Sequence, residues 1–373
     1  MAIPRSTWGL LLAAFLAAFS GLLVATRLAA RPPREAVAPD AWQALDRNDP
    51  EQAASIFKRQ LKEHPRDPVL HFGAGSAAYA LGRTDVALAS LRRAVELDPE
   101  YADALALLGQ VAYERGDSDL AVRSLQKASS LRPRDRRIAD LLDRWQRESS
   151  VHNSYVEKPI EHFRILYEGG AQQSVGDRVA RVLEEQYGRI GRALNSYPSE
   201  PVTVILYTNV EFHDITRSPS WSAGGYDGRI RVAVGGALDS PYALDRVVTH
   251  EFVHAVVASA APRRIPAWLN EGLATHLESS DRMWVSETLR KAQAVVPLEN
   301  LVQGFGGLDA QSALVAYAES ETAADILCAQ LGSNIGSFLQ LVGNGRSVDD
   351  ALMEFQVQPN AFHAEWRRRV GMP

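Results

Sequence analysis

The stretch Val247-Val248-Thr249-His250-Glu251-Phe252-Val253-His254 decides how the second half of this chain is read. It sets H-E-x-x-H inside a mostly apolar run. At about 100° per residue, His250, Glu251 and His254 fall within roughly one quadrant of a helix, with Val247 and Ala258 beside them. Val248, Phe252, Ala255 and Val256 lie opposite and are expected to enter a core, with Ser259 as a small polar exception on that side. Ser240 can cap the helix, Pro241 suits its first turn and Pro262 stops it. Two imidazoles one turn apart can grip one metal ion, and the same helix holds Glu251 next to it.

Neutral imidazoles leave such an ion its positive charge, which acidifies a bound water. A third ligand completes a tripod and leaves the fourth tetrahedral position open. Shortly downstream, Trp268-Leu269-Asn270-Glu271-Gly272-Leu273-Ala274 supplies a carboxylate early on a helix that starts near Pro266, and a short turn can bring it alongside the histidines. Glu251 is too displaced from His250 to join the tripod but is placed to take a proton from water. The expected ligands are therefore His250, His254 and Glu271 on Zn2+, with Glu251 as the base. A surface helix with a fortuitous pattern would scatter charges around the motif, whereas residues 247–259 hold Glu251 as their only carboxylate.

H-E-x-x-H followed by N-E-G-x-A resembles the gluzincin metallopeptidases, the group containing thermolysin and the large zinc aminopeptidases. The short gap from His254 to Glu271, with Ile265-Pro266-Ala267-Trp268 inside it, is more similar to small bacterial peptidase MA-like domains. The resemblance spans roughly residues 160–370. It implies a zincin-like α+β fold, peptide-bond hydrolysis, and the same roles for His250, His254, Glu271 and Glu251. No G-A-M-E-N-type exopeptidase signature accompanies the motif. A second resemblance, to CAAX-prenyl-protease-like proteins, fits less well because their third glutamate stands much farther downstream. In gluzincin-like sheets a strand beside the active site pairs with extended substrate. By that resemblance the run from Arg229 to Val234 takes the role, with Arg229, Arg231 and Val232 in it; a plain edge strand guarded by charge is the alternative.

Peptide hydrolysis also needs a donor for the developing oxyanion, commonly a Tyr or His. Tyr317, in a helical stretch over 312–331 closed by Gly332, is the first candidate and His276 the second. Thr275, one turn after Glu271, is placed to orient a ligand. Upstream in the same region, His162–Tyr167 and Pro201–Tyr207 read as strands and 173–194 as a helix with Val175, Val179, Val182 and Leu183 inward. His213 and Asp214 read as polar loop residues, and Gly224 to Gly228 as a turn. Residues 348–370, with Phe355, Phe362 and Trp366, read as closing helices.

From 41 to 148 the chain repeats itself. Gly82, Ala87, Leu91, Ala94, Leu97 and Pro99 recur 34 residues later as Gly116, Ala121, Leu125, Ala128, Leu131 and Pro133. Asn48, Ala53, Phe57 and Pro65 stand one period earlier. This resembles the tetratricopeptide repeat, a helix–turn–helix unit whose small residues let paired helices approach closely. Residues 134–148 read as a capping helix, and 149–155 as a polar break. The resemblance implies a concave surface that docks a protein partner or substrate; a spacer or a self-association module is the bland alternative. The basic run from Arg132 to Arg137 reads as a solvated face.

Ahead of the repeats, residues 8–26 carry no charge, with Arg5 before them and Arg27, Arg31 and Arg34 after. That length spans a bilayer as a helix. Leu28-Ala29-Ala30 is a poor cleavage site, which favours an uncleaved anchor over a signal peptide. Pro32, Pro33 and Pro39 stiffen a linker to residue 40. The expected location is a bacterial-type inner membrane with the catalytic part periplasmic, or secretion after cleavage as the alternative.

At 373 residues and 46% hydrophobic, the chain has room for about two domains. A net charge of −5 gives no reason to expect a nucleic-acid partner. Cys328 is the only cysteine, which excludes an internal disulfide and a cysteine-rich zinc site, and its apolar neighbours suggest burial. The expectation is a multidomain protein: an all-α tetratricopeptide solenoid over 41–148, then an α+β zincin-like metallopeptidase domain over 156–373. A catalytically weak binding protein of the same fold, acting in envelope protein assembly, is the alternative.

Overall fold

The computed structural model describes residues 37–371 except 48, 153, 217–222, 235–239, 262–264, 280 and 293. The expected membrane segment at 8–26 and the stop at Pro262 lie outside the described residues. The chain divides into two compact units between residues 153 and 154.

The first unit is a helical repeat. Its pairs are α1 (Pro39–Asp46) with α2 (Pro50–Glu63), α3 (Pro68–Ala80) with α4 (Thr84–Leu97), and α5 (Ala102–Glu114) with α6 (Ser118–Leu131), followed by α7 (Arg136–His152). Asp49, Asp67 and Asp117 stand before three of these helices and accept backbone N–H bonds from Gln52, Val69 and Leu120, which satisfies donors the first turn leaves open. Gly82 and Gly116 take φ of 69° and 85° in the turns inside the second and third pairs. The repeated positions are the core: Ala87, Leu91 and Ala94, and likewise Ala121, Leu125 and Ala128, are all buried.

Two expectations change here. The polar residues at 149–152 do not break the chain but continue α7, because that helix is anchored from inside: Trp145 stacks on Tyr113 at 4.2 Å and Glu148 accepts from the Tyr113 hydroxyl. Arg132 is not simply solvated. Its guanidinium forks onto buried Asp103 at 2.5 and 2.7 Å.

The second unit is a small mixed sheet with helices. Strands β1 (Tyr155–Pro159), β2 (Phe163–Glu168), β3 (Val202–Tyr207), β4 (Gly224–Tyr226) and β5 (Ile230–Ala233) stand in the order β1-β2-β3-β5-β4. β2, β3 and β5 run parallel, with Ile165 opposite Val204 and Val204 opposite Ile230, while β1 and β4 are antiparallel at the two ends. The parallel pair β2–β3 needs a crossover, and α8 (Gln173–Leu194) supplies it with the expected bounds. The other helices are α9 (Asn209–Thr216), α10 (Pro241–Ala260), α11 (Ala267–Glu278), α12 (Met283–Lys291), α13 (Ala310–Leu331), α14 (Ile335–Gly343), α15 (Val348–Glu354) and α16 (Pro359–Val370).

Several local readings are corrected. His213 and Asp214 lie on α9, which opens with a capping box: Glu211 accepts from the Thr208 N–H at 2.9 Å, and Thr208 Oγ1 accepts from the Glu211 N–H at 3.3 Å. Gly224-Gly225-Tyr226 is a strand rather than a turn, since β4 pairs with β5 as a hairpin. β5 therefore has strands on both sides, and Ile230, Arg231, Val232 and Ala233 are all buried. Arg229 and Arg231 are each only 3% exposed, and Arg231 pairs with Asp227. An inner strand has no free ladder to offer, so the substrate-strand role for Arg229, Arg231 and Val232 does not hold.

The apolar face of α10 does enter the core. Phe252 meets Phe163 of β2 edge-on at 5.2 Å and stacks near Tyr187 of α8 at 6.0 Å. Ser259 is the exception: it is exposed and donates to the Ala255 carbonyl at 3.0 Å, close to the end of the helix. Cys328 is half-buried, and burial pushes its thiol up to about 12. Among the described residues one stretch, Ala310–Gly343, is long and apolar enough to cross a membrane, and half of its most apolar window is buried in the protein. It contains α13, a core helix that buries Tyr317, Glu319 and Ala323.

Candidate metal centre

Helix α10 begins as its sequence prescribes, with Ser240 Oγ accepting from the Ala243 N–H at 3.4 Å and Pro241 in the first turn. It carries His250, Glu251 and His254 on the side away from Phe252. Helix α11 starts after Pro266, and its first amides are satisfied from outside the helix: Ala267 and Trp268 donate to the carbonyls of Val302 and Leu301 at 3.2 and 2.9 Å. Glu271 thus sits one turn into a helix packed beside α10.

The three expected ligand groups converge. Glu271 Oε2 lies 3.4 Å from His250 Nε2 and 3.6 Å from His254 Nε2, and one atom from each residue lies within 4.8 Å of the other two. His250 and His254 are 4% exposed and Glu271 is fully buried. Both Glu271 oxygens and both Nε2 atoms are buried without a well-formed hydrogen bond among the described residues. A buried ionised carboxylate without partners costs several kcal/mol, so a chain rarely leaves one in its core. Two imidazole nitrogens and a carboxylate oxygen form a donor set suited to zinc.

Glu251 lies beside this trio, and its Oε2 likewise makes no well-formed hydrogen bond among the described residues. Strand β4 passes close: a Cβ on Gly224 would stand 2.7 Å from Glu251 Oε1 and 2.7 Å from Val247 Cγ1. The tight spot explains a glycine there. On the other side, Gly272 follows Glu271, and a Cβ on it would stand 2.2 Å from the Ser320 carbonyl oxygen of α13. That close approach lets α13 bring Tyr317 to the site, its ring 6.4 Å from that of His250. The Tyr317 hydroxyl is buried, faces the Glu271 carboxylate, and makes no well-formed hydrogen bond among the described residues.

Burial dominates the electrostatics. It pushes the Glu251 carboxyl up to about 8, against the attraction of His250 and with help from Glu271 and Glu278. It also pulls His254 down to about 3, reinforced by the charge of His250 and opposed by the Asn270 side chain. For His250 burial again acts downward, but the nearby Glu271 carboxylate and the bond to Glu278 overcome it and raise the imidazole to about 10. Glu271 is raised by burial, partly offset by His250 and Tyr317.

Two weaker expectations fail on geometry. His276 lies five residues past Glu271, about 140° round the helix, so it faces away from the trio. It sits with Glu321 at 3.2 Å and Asp325 at 3.7 Å, and Arg282 ties up both carboxylates. Thr275 is buried near the site, yet its hydroxyl has no hydrogen-bond partner among the described residues and so orients no ligand through one. The residue that does bond a histidine was not singled out. Glu278, seven residues after Glu271 and on the same face of α11, accepts from His250 Nδ1 at 2.8 Å and pairs with Arg246. The i, i+7 spacing from Glu271 was the available signal.

A tetratricopeptide repeat family model matches residues 41–95 and 72–136. No curated protein matches the chain. The first unit is therefore a run of tetratricopeptide repeats, which points to a protein partner because stacked repeats of this type present extended binding surfaces.

Proposed function

We propose that the second unit is a zinc-dependent peptidase of gluzincin type and that the repeats dock its substrate or a partner protein. The observation that carries this reading is the meeting of His250 Nε2, His254 Nε2 and Glu271 in a buried cluster whose ligand atoms have no well-formed hydrogen bond among the described residues, with the Glu251 carboxylate next to it. His250, His254 and Glu271 would hold the ion. When bound, zinc supplies a Lewis acid that acidifies water and polarises a substrate carbonyl.

The chain's own groups do the rest. Glu251 takes the proton of the attacking water and passes it to the leaving amine nitrogen. Burial raises its carboxyl, which favours taking up a proton near neutral pH, while the charge of His250 favours the ionised form it must start from. The Tyr317 hydroxyl stays protonated, because burial and the nearby Glu271 and Glu251 carboxylates disfavour its phenolate. On this reading it donates to the carbonyl oxygen as negative charge builds there. Residues 8–26 would hold the protein at a membrane.

The test compares wild type, Glu251→Gln and His250→Ala as full chains, assayed for zinc content and for cleavage of a mixed pool of unfolded peptides. The enzyme reading expects zinc in the first two, cleavage in wild type alone, and neither in His250→Ala. A binding protein that keeps the fold for assembly would behave alike in all three.

A further inference from the structure

The two histidines of the cluster are held unequally. His254 Nδ1 makes no well-formed hydrogen bond among the described residues, whereas His250 Nδ1 is bonded to Glu278 Oε2 at 2.8 Å. The other oxygen of Glu278 pairs with Arg246, one turn before His250 on α10, so one carboxylate spans two consecutive turns of the motif helix from the facing helix. Glu278 and His250 are both buried, and Arg246 is 14% exposed at its side chain, which gives the buried carboxylate a counter-charge. Glu278 touches neither His254 nor Glu271 in any hydrogen bond or ion pair among the described residues, so its direct contact with the cluster is through His250.

We propose that Glu278, braced by Arg246, is a positioning residue that fixes the His250 ring so that Nε2, and not Nδ1, is presented to a metal ion. A proton on Nδ1 shared with a carboxylate leaves the lone pair on Nε2, stops the ring from flipping and makes Nε2 a better donor. The proposal rests on the peptidase reading above. It adds to the three expected ligands a supporting group outside both the H-E-x-x-H and N-E-G segments.

The test measures zinc affinity by chelator competition for wild type, Glu278→Ala and Glu278→Gln, together with the visible spectrum of each protein loaded with cobalt. Thermal unfolding in excess chelator shows whether each variant folds. Glu278→Ala is expected to bind zinc about 10- to 100-fold more weakly and to change the cobalt spectrum. Glu278→Gln keeps an acceptor for Nδ1–H and should retain most of the affinity and the wild-type spectrum. Should Glu278→Ala misfold, Glu278→Gln decides alone: a wild-type spectrum and near wild-type affinity support the role of the hydrogen bond, and a loss as large as that of His250→Ala overturns it. A folded Glu278→Ala that matches wild type in affinity and spectrum overturns the proposal and leaves the peptidase reading standing. A wild type that takes up neither zinc nor cobalt removes the peptidase reading itself, and this inference with it.

Discussion

Two buried carboxylates, one in each unit, are treated in opposite ways. Asp103 in the repeats is 2% exposed and is met by a forked pair of bonds from Arg132 at 2.5 and 2.7 Å. Glu271 in the second unit is fully buried, and neither of its oxygens has a well-formed hydrogen bond among the described residues. The repeat region supplies its own counter-charge, as a scaffold that only has to fold must do. The other unit gathers two imidazoles and a carboxylate around one point and leaves both Nε2 atoms and the carboxylate oxygens unmatched among the described residues, which is costly unless a cation completes the set. On our reading that difference separates a docking module from a reactive one.

The comparison breaks most sharply at Glu251. Glu251→Gln should retain metal and lose peptide hydrolysis by about 100- to 10,000-fold, the range a positioned general base contributes. Steady-state cleavage beside metal content reads both. Cleavage within a few-fold of wild type would remove the base from the account.

At the paired carboxylate, Asp103→Ala strands the Arg132 guanidinium and should destabilise the repeats by about 1–3 kcal/mol, read by denaturant unfolding. At the unmatched one the sign reverses once metal is removed. Burial raises the Glu271 pKa, so the folded chain holds that proton more tightly than the unfolded chain. Its contribution to stability therefore falls as pH rises above its ordinary value of 4.5. Glu271→Gln mimics the protonated form. Relative to wild type in chelator, it should gain stability as pH increases from 4 to 8. A difference that is flat with pH, or runs the other way, would mean that the carboxylate is matched after all.

A comparable loss of stability is expected where α11 and α13 touch. Gly272→Ala pushes a methyl at the Ser320 carbonyl and should cost about 1–3 kcal/mol of stability, with Tyr317 displaced and turnover reduced. Equal stability by thermal melts would show that the helices part easily and that the close approach does not hold the site together.

Much of this was legible in the sequence, for reasons that particular residues make plain. Ser240 and Pro241 announce α10, and Gly82, Ala87 and Leu91 announce the repeats, because caps, turns and close helix pairs depend on residues adjacent in sequence. His250, Glu251, His254 and Glu271 were legible because one helical turn and one short connection fix their relation. What escaped depends on partners distant in sequence. Arg231 reads as an exposed edge charge until Asp227 and the flanking strands β3 and β4 enclose it. β1, with Glu157, Lys158 and Pro159, lacks an apolar alternation and exists through its pairing with β2. His276 and Thr275 neighbour the right residues in sequence, yet the helix turns His276 away, and the Thr275 hydroxyl makes no hydrogen bond among the described residues. Glu278 was hidden because its role lies in the contact between α10 and α11 and in no local motif.

The most direct test of the central claim is a crystal structure of the full chain grown with zinc and measured on both sides of the zinc absorption edge. The account predicts one anomalous peak bounded by His250 Nε2, His254 Nε2 and the Glu271 carboxylate, with Glu251 beside it but outside the ligand set. No peak at that position, with the Glu271 carboxylate instead closed onto His250 or Tyr317 by ordinary hydrogen bonds, would contradict it.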